Sequence, residues 1–370
     1  MAQKYNIELV KQLQKKKVTQ EHYGIEYQIK PIPDDPRSGV VDPRLYKMIR
    51  FPLFLMKWLP RQKKRSLTES LPALQKMFNA VKSKPITKTK IQIDALTIDC
   101  NKQAISIRIY RPANLVKTDR LPVLYYIHGG GFFAGSMNVV EETVKYFCEA
   151  YPCVAVSIDY RLAPENPYPA SHEDCYEALQ WIINHIDQYQ GNANQIFLAG
   201  DSAGGNLALY CGLREKKMGL HHIKALALYY PTVNMVGKED DYYKAGRQNY
   251  NVQEKYRPAV FGILDMLGEN GLTGLGEVLS VEDTGIADLS PYWANLSGLP
   301  NTILLFGEYD FFYPECLGFA KKLHMANTRV KPIIYKGLTH GFLDSIGTFP
   351  QAEDSILEVI QFVKESIKEN

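Results

Sequence analysis

Five residues restrict the fold of this chain more than any other stretch. Gly200, Asp201, Ser202, Ala203 and Gly204 join an apolar run at 195–199 to an Ala/Leu-rich stretch at 206–214. The run reads as a short, fully buried strand and the stretch after it as a helix. A glycine on each side, two residues from the serine, leaves room for a bend too tight for larger residues, with Ser202 at its apex. Strand, GxSxG and helix together describe a nucleophile elbow, while the pentapeptide alone is a weak signal. The rest of the chain therefore has to supply the context.

Around this element the sequence alternates. Ile91, Ile93, Ala95 and Thr97, then Ile105, Ile107 and Ile109, follow the two-residue period of paired strands. Continuous apolar runs follow at 122–127, 154–158, 196–199, 225–230, 302–306 and 332–335, separated for the most part by helical patterns at 139–150, 171–189, 206–216, 313–326 and 351–368. Apolar strands alternating with helices predict an α/β fold: a mostly parallel central sheet with helices on both faces. The interval between 230 and 302 is too long for a plain crossover, so a helical cap insertion is expected at about 234–288. It leaves the carboxyl end of a central strand, where open α/β sheets bind ligands. Residues 1–85 differ in composition, with a polar start and prolines at 31, 33, 36 and 43, and are expected to be an N-terminal cap segment on a catalytic domain spanning 86–370. Within them, the apolar residues from Phe51 to Leu59 followed by Arg61, Lys63, Lys64 and Arg65 fit either a cover over the pocket, the favoured reading, or a contact with an anionic membrane surface.

Charge and cysteine content remove several classes of function. The formal net charge of +3 is spread evenly, giving no basic face for a nucleic acid. Six cysteines show neither CxxC spacing nor clustering with histidine, which argues against zinc and against a disulfide framework. Met1 to Asn6 lack the basic and then apolar pattern of a secretory signal, and a cytoplasmic location is expected. No metal or other cofactor is called for.

A serine hydroxyl needs a histidine to take its proton and a carboxylate to orient that histidine. Of the eight histidines, His340 follows the run at 332–335 in a loop between Gly337 and Gly341, free to reach a neighbouring strand end. His172, His185, His221, His222 and His324 fall on or beside helical patterns and read as packing or surface residues. The carboxylate expected is Asp310, in the loop after 302–306, with Glu308 and Asp344 as rivals. The order Ser, Asp, His matches the one known for this elbow. His128, Gly129, Gly130 and Gly131 follow the run at 122–127, and three glycines in succession let backbone N–H groups approach a ligand. The amide of Ala203, directly after the serine, is the second donor expected.

At this point the chain resembles a known family. His128 to Gly131 with Phe132, the block Asp159 to Glu165, and Gly200 to Gly205 look like the three signature blocks of the hormone-sensitive-lipase-like branch of the α/β-hydrolases. The likeness extends through the Asp310 loop and Tyr335 to Phe342, covering about 90–370. It implies an α/β-hydrolase fold with a helical cap, a triad of Ser202, Asp310 and His340, and an oxyanion hole from Gly130, Gly131 and Ala203. It implies a carboxylesterase acting without cofactor on small-molecule esters of short to medium acyl chains, with an amidase or deacetylase, or a non-catalytic ligand receptor, as alternatives. Asp159 to Glu165 are expected to brace the site. One departure is that Phe311, where the family usually has proline, follows Asp310.

Overall fold

The structure is a computed structural model that describes residues 5–16, 18–56, 66–80, 83–100, 103–116, 118–269 and 274–369, with side chains 51–56, 267–269 and 369 left aside. The elements in chain order are α1 (Ile7–Lys15), β1 (Val18–His22), β2 (Ile25–Lys30), α2 (Pro43–Met56), α3 (Leu67–Asn79), β3 (Ile91–Cys100), β4 (Gln103–Pro112) and β5 (Leu121–Ile127). There follow α4 (Met137–Ala150), β6 (Val154–Asp159), α5 (Ala170–His185), β7 (Gly191–Asp201), α6 (Ala203–Lys217) and β8 (Ile223–Tyr229). The chain closes with α7 (Arg257–Ile263), α8 (Leu275–Leu279), β9 (Asn301–Gly307), α9 (Tyr313–Met325), β10 (Val330–Tyr335) and α10 (Pro350–Glu369).

The ten strands among the described residues form one sheet in the order β1-β2-β10-β9-β8-β7-β5-β6-β4-β3. From β2 to β6 every neighbouring pair is parallel. The outer pairs β1/β2, β3/β4 and β4/β6 are antiparallel. The central strands are apolar on both faces because helices cover both: Phe197, Leu198, Ala227, Leu228, Leu304 and Leu305 are all fully buried.

Part of the N-terminal segment expected to cap the domain is built into its sheet. Residues 18–30 are not a cover over the pocket but a hairpin that widens the sheet, with β2 in parallel register on β10 through Gln28↔Ile333 and Lys30↔Tyr335. Ile25, Tyr27 and Ile29 alternate inward and are buried. Tyr27 donates to the Leu317 carbonyl at 2.7 Å. Lys30, wholly buried, is matched by Asp354 and Glu358 of α10 and by the Leu13 carbonyl, the pairing that makes a buried ammonium tolerable.

The interval after β8 holds short helical pieces, among them α7, a π-helical turn at Leu264–Glu269, and α8. The stretch that raised the question of a membrane contact lies outside the described residues for 57–65, and its side chains from 51 to 56 are likewise outside them.

Candidate active site

Sheet register brings the functional loops together. Ile127 of β5 lies beside Gly200 of β7, Asp201 beside Tyr229 of β8, and Gly307 of β9 beside Tyr335 of β10. Loops leaving these parallel strands therefore start from one edge of the sheet.

Ser202 sits between β7 and α6 at φ 54° and ψ −117°, a conformation that L-residues strongly resist. Both flanking glycines are forced by contact: a Cβ on Gly200 would meet the Gly204 carbonyl oxygen, and one on Gly204 the Ile127 carbonyl oxygen. The Ser202 hydroxyl lies 2.9 Å from His340 Nε2. His340 Nδ1 lies 3.0 Å from each carboxylate oxygen of Asp310. An ionised carboxylate only accepts, so Nδ1 carries the hydrogen and Nε2 is left to accept from the serine. Asp310 is wholly buried and also accepts from the Phe312 amide at 2.8 Å.

Of the rivals for the carboxylate, Glu308 is employed elsewhere. Glu308 accepts from Lys336 Nζ at 2.7 Å and from the Gly337 amide at 3.0 Å, bracing the turn that leads to His340. Asp344 lines the cavity near Ser202, and burial together with neighbouring Asp201 pushes its carboxyl well above the usual carboxylate range. Burial also pushes Asp201 up to about 6, although it accepts from Tyr126 and from the Gly129 amide. Asp201 thus holds the elbow against the glycine loop.

That loop turns through positive φ at Gly130 (119°), Gly131 (63°) and Phe132 (67°). A Cβ on Gly130 would strike the Ala134 carbonyl oxygen. Phe133 and Ala134 donate to the Gly130 carbonyl at 3.2 and 2.9 Å. Among the described residues the amides of Gly130, Gly131 and Ala203 have no internal acceptor, and all three residues border the same cavity as Ser202 and His340. The Asp159–Glu165 block supports the loop from behind: Asp159 accepts from the Met137 amide at 2.6 Å, Tyr160 donates to the His128 carbonyl at 2.9 Å, and Ala163 donates to the Phe132 carbonyl at 2.9 Å.

The cavity has a volume of about 380 Å³. Its roof contains Ile49 of α2, Met77 and Phe78 of α3, and Leu275 of α8. Phe311, the departure from the family pattern, lays its ring over His340 with centroids 4.3 Å apart. His172 is a packing residue as expected: it stacks on Phe132, its Nε2 is 3.3 Å from Asn206 Oδ1, and burial pushes it down to about 4. The roof residues carried no local signal in the sequence, since their apolar spacing is that of any amphipathic helix.

Fold and site together are those of an α/β-hydrolase. Residues 124–344 match the model of a family described as alpha/beta hydrolase fold, and the chain belongs to that family, in its hormone-sensitive-lipase-like branch. It is 27% identical over 293 residues to Esterase LipI of Mycobacterium tuberculosis, across 78% of this chain and 87% of that one. It is 31% identical over 241 residues to Probable carboxylesterase 5 of Arabidopsis thaliana, across 59% of this chain and 70% of that one. A solved esterase of Pyrobaculum calidifontis superposes with a TM-score of 0.69 at 25% identity, covering 89% of this chain and 99% of that one. Among the described residues no helix is long and apolar enough to cross a membrane.

Proposed function

We infer that the protein is a serine carboxylesterase that hydrolyses short- to medium-chain carboxylic esters through an acyl-enzyme. The observation that carries this is the unbroken line from Ser202 Oγ to His340 at 2.9 Å and on to Asp310 at 3.0 Å, facing a loop with free amides. The names of the relatives, esterases and carboxylesterases, agree with it. His340 takes the proton of Ser202 as its oxygen attacks the ester carbonyl, and Asp310 stabilises the imidazolium that forms. The amides of Gly130, Gly131 and Ala203 receive the negative oxygen of the tetrahedral intermediate, an interaction in which each donor is typically worth about 100- to 1000-fold in rate. His340 then protonates the departing alkoxide, and a water molecule activated by the same nitrogen releases the acid.

A cavity of about 380 Å³ is of the order of ordinary small-molecule sites, and its apolar roof suits an acyl chain. The cap comprises α2, α3 and the insertion after β8. Six buried, unpaired cysteines fit a reducing compartment such as the cytoplasm. The test is labelling by a fluorophosphonate probe together with turnover of p-nitrophenyl acetate, butyrate, octanoate and palmitate. Labelling and turnover that vanish in Ser202→Ala, with palmitate a poor substrate, are expected; equal labelling of both proteins overturns the assignment.

A further inference from the structure

The glycine loop is held from two sides, by the block that follows β6 and by the helix α3. Tyr160 and Ala163 grip its first half through the His128 and Phe132 carbonyls. The second half is gripped by α3. Gln75 Nε2 donates to the Phe133 carbonyl at 2.9 Å, and Asn79 Oδ1 accepts from the Gly135 amide at 2.9 Å. Between these two residues on the helix, the Phe78 ring packs 5.9 Å from the Phe133 ring. Gln75 and Asn79 are four residues apart and so share one face.

The same segment also touches the opposite bank of the site. Just beyond α3, Ser83 donates to the Asp344 carbonyl at 3.1 Å and the Lys84 amide donates to the Ile346 carbonyl at 2.9 Å, both in the loop that follows His340. The helix has its own reason to form: Ser66 and Glu69 make a reciprocal capping box at its start. Met77 and Phe78 meanwhile border the cavity beside Ser202. Gln75 and Asn79 of α3 thus hold the glycine loop, Ser83 and Lys84 hold the histidine loop, and Met77 and Phe78 of the same helix border the cavity.

We propose that Gln75 and Asn79 are positioning residues of the oxyanion site, with α3 acting as a clamp on the Phe133–Gly135 end of the glycine loop. Phe133 and Ala134 both donate to the Gly130 carbonyl, so a shift of that end rotates the peptides whose amides receive the oxyanion. The intermediate's negative oxygen needs those amides far more than the ground-state carbonyl does, so the clamp acts on kcat rather than on KM. The inference rests on the esterase reading given above.

The test uses the full chain and a p-nitrophenyl butyrate assay on Asn79→Leu, Asn79→Asp, Gln75→Leu and Gln75→Glu. Leucine at 79 removes the acceptor while aspartate keeps it; at 75 both leucine and glutamate remove the donor. The expected result is a loss of kcat of about 5- to 10-fold for Asn79→Leu, Gln75→Leu and Gln75→Glu, part of one donor's worth. KM should move less than about twofold under uniform ground-state binding, and Asn79→Asp should recover most of the loss. Inhibition by an alkyl trifluoromethyl ketone, which forms a tetrahedral adduct with the serine, should weaken in step with kcat. Thermal melting separates a fold defect from a loop defect, and a melting point equal to wild type with the kcat loss is expected. Wild-type turnover with all four variants unchanged in kcat and ketone affinity overturns the clamp alone, as does Asn79→Asp behaving like Asn79→Leu. A wild type with no ester turnover overturns the esterase reading and the clamp with it.

Discussion

The floor and the roof of the cavity are built in different ways. On the floor, His128–Gly131, Ser202, Asp310 and His340 each stand within five residues of the carboxyl end of a strand, and parallel register sets their spacing. On the roof, Ile49, Met77, Phe78 and Leu275 come from α2, α3 and α8, separate helices that reach the cavity from distant parts of the chain. Register cannot slip without turning a strand's side chains to the other face, so the floor tolerates little change. The roof can vary helix by helix. On the proposed function, the reacting groups stand at the edge of the sheet and the surface that shapes the substrate lies over it.

The sharpest way to break this contrast is to neutralise in turn the two carboxylates after β9. Asp310→Asn should lower kcat for p-nitrophenyl butyrate by about 10³- to 10⁴-fold, because an amide facing His340 Nδ1 favours the wrong tautomer and no longer stabilises the imidazolium. Glu308→Gln should cost about tenfold or less, since it loosens only the turn at Lys336 and Gly337. Steady-state kinetics on the two variants decide the matter, and a larger loss at Glu308 would remove Asp310 from the triad.

A second prediction concerns the root of the roof. Glu315, buried near the start of α9, accepts from the Val233 amide where the insertion leaves the sheet, and burial pushes its carboxyl up to about 8. Its proton is held more tightly in the folded chain than in the unfolded one, whose carboxyl titrates near 4.5. Stability from this group is full below about 4.5 and falls as the pH rises towards 8. Glu315→Gln does not titrate, so its stability relative to wild type should rise between pH 5 and pH 8.5 by on the order of 4 kcal/mol. Urea denaturation at the two pH values measures this; a difference that stays constant with pH would show that Glu315 is ionised in the fold.

The roof itself should respond in KM and in chain-length preference. Leu275 is 5% exposed and borders the cavity. Leu275→Ala removes apolar surface from a long acyl chain, on the order of 1 kcal/mol, so KM for octanoate should rise about fivefold. Acetate, too short to reach that wall, should keep its KM. An equal rise for both esters would place Leu275 in the frame of the protein and not over the substrate.

Legibility in the sequence followed the same division. Ser202, His340, Asp310 and the glycine loop could be read because each depends on a few neighbouring residues at a strand end. The hairpin at 18–30 could not be read in the same way, because what buries Tyr27 and Lys30 is Leu317, Asp354 and Glu358, roughly 300 residues further on. Gln75 and Asn79 left no trace, since polar residues on an exposed helix face are the ordinary case. Glu308 and Asp310 could not be separated by sequence beyond position in the loop; the amide of Gly337 that occupies Glu308 is a tertiary contact.

Backbone strain divides floor from roof as well. Among the described residues seven non-glycines have positive φ, and three of them, Phe132, Ser202 and Tyr230, border the cavity. None of the roof residues Ile49, Met77, Phe78 or Leu275 is among them. Conformations of this kind cost about 1–3 kcal/mol each and persist only where surrounding contacts impose them. At Ser202 the contacts are the close approaches of Gly200 to Gly204 and of Gly204 to Ile127, which hold the bend whatever side chain stands at its apex. Glycine at the apex has no Cβ to strain. Ser202→Gly and Ser202→Ala should both be inactive, yet the glycine variant should be the more stable by about 1 kcal/mol despite its greater unfolded-state entropy. Paired thermal melts of the two inactive proteins measure this directly. An alanine variant equal to or more stable than the glycine variant would mean that the elbow carries no side-chain strain, and that the floor is held by register alone.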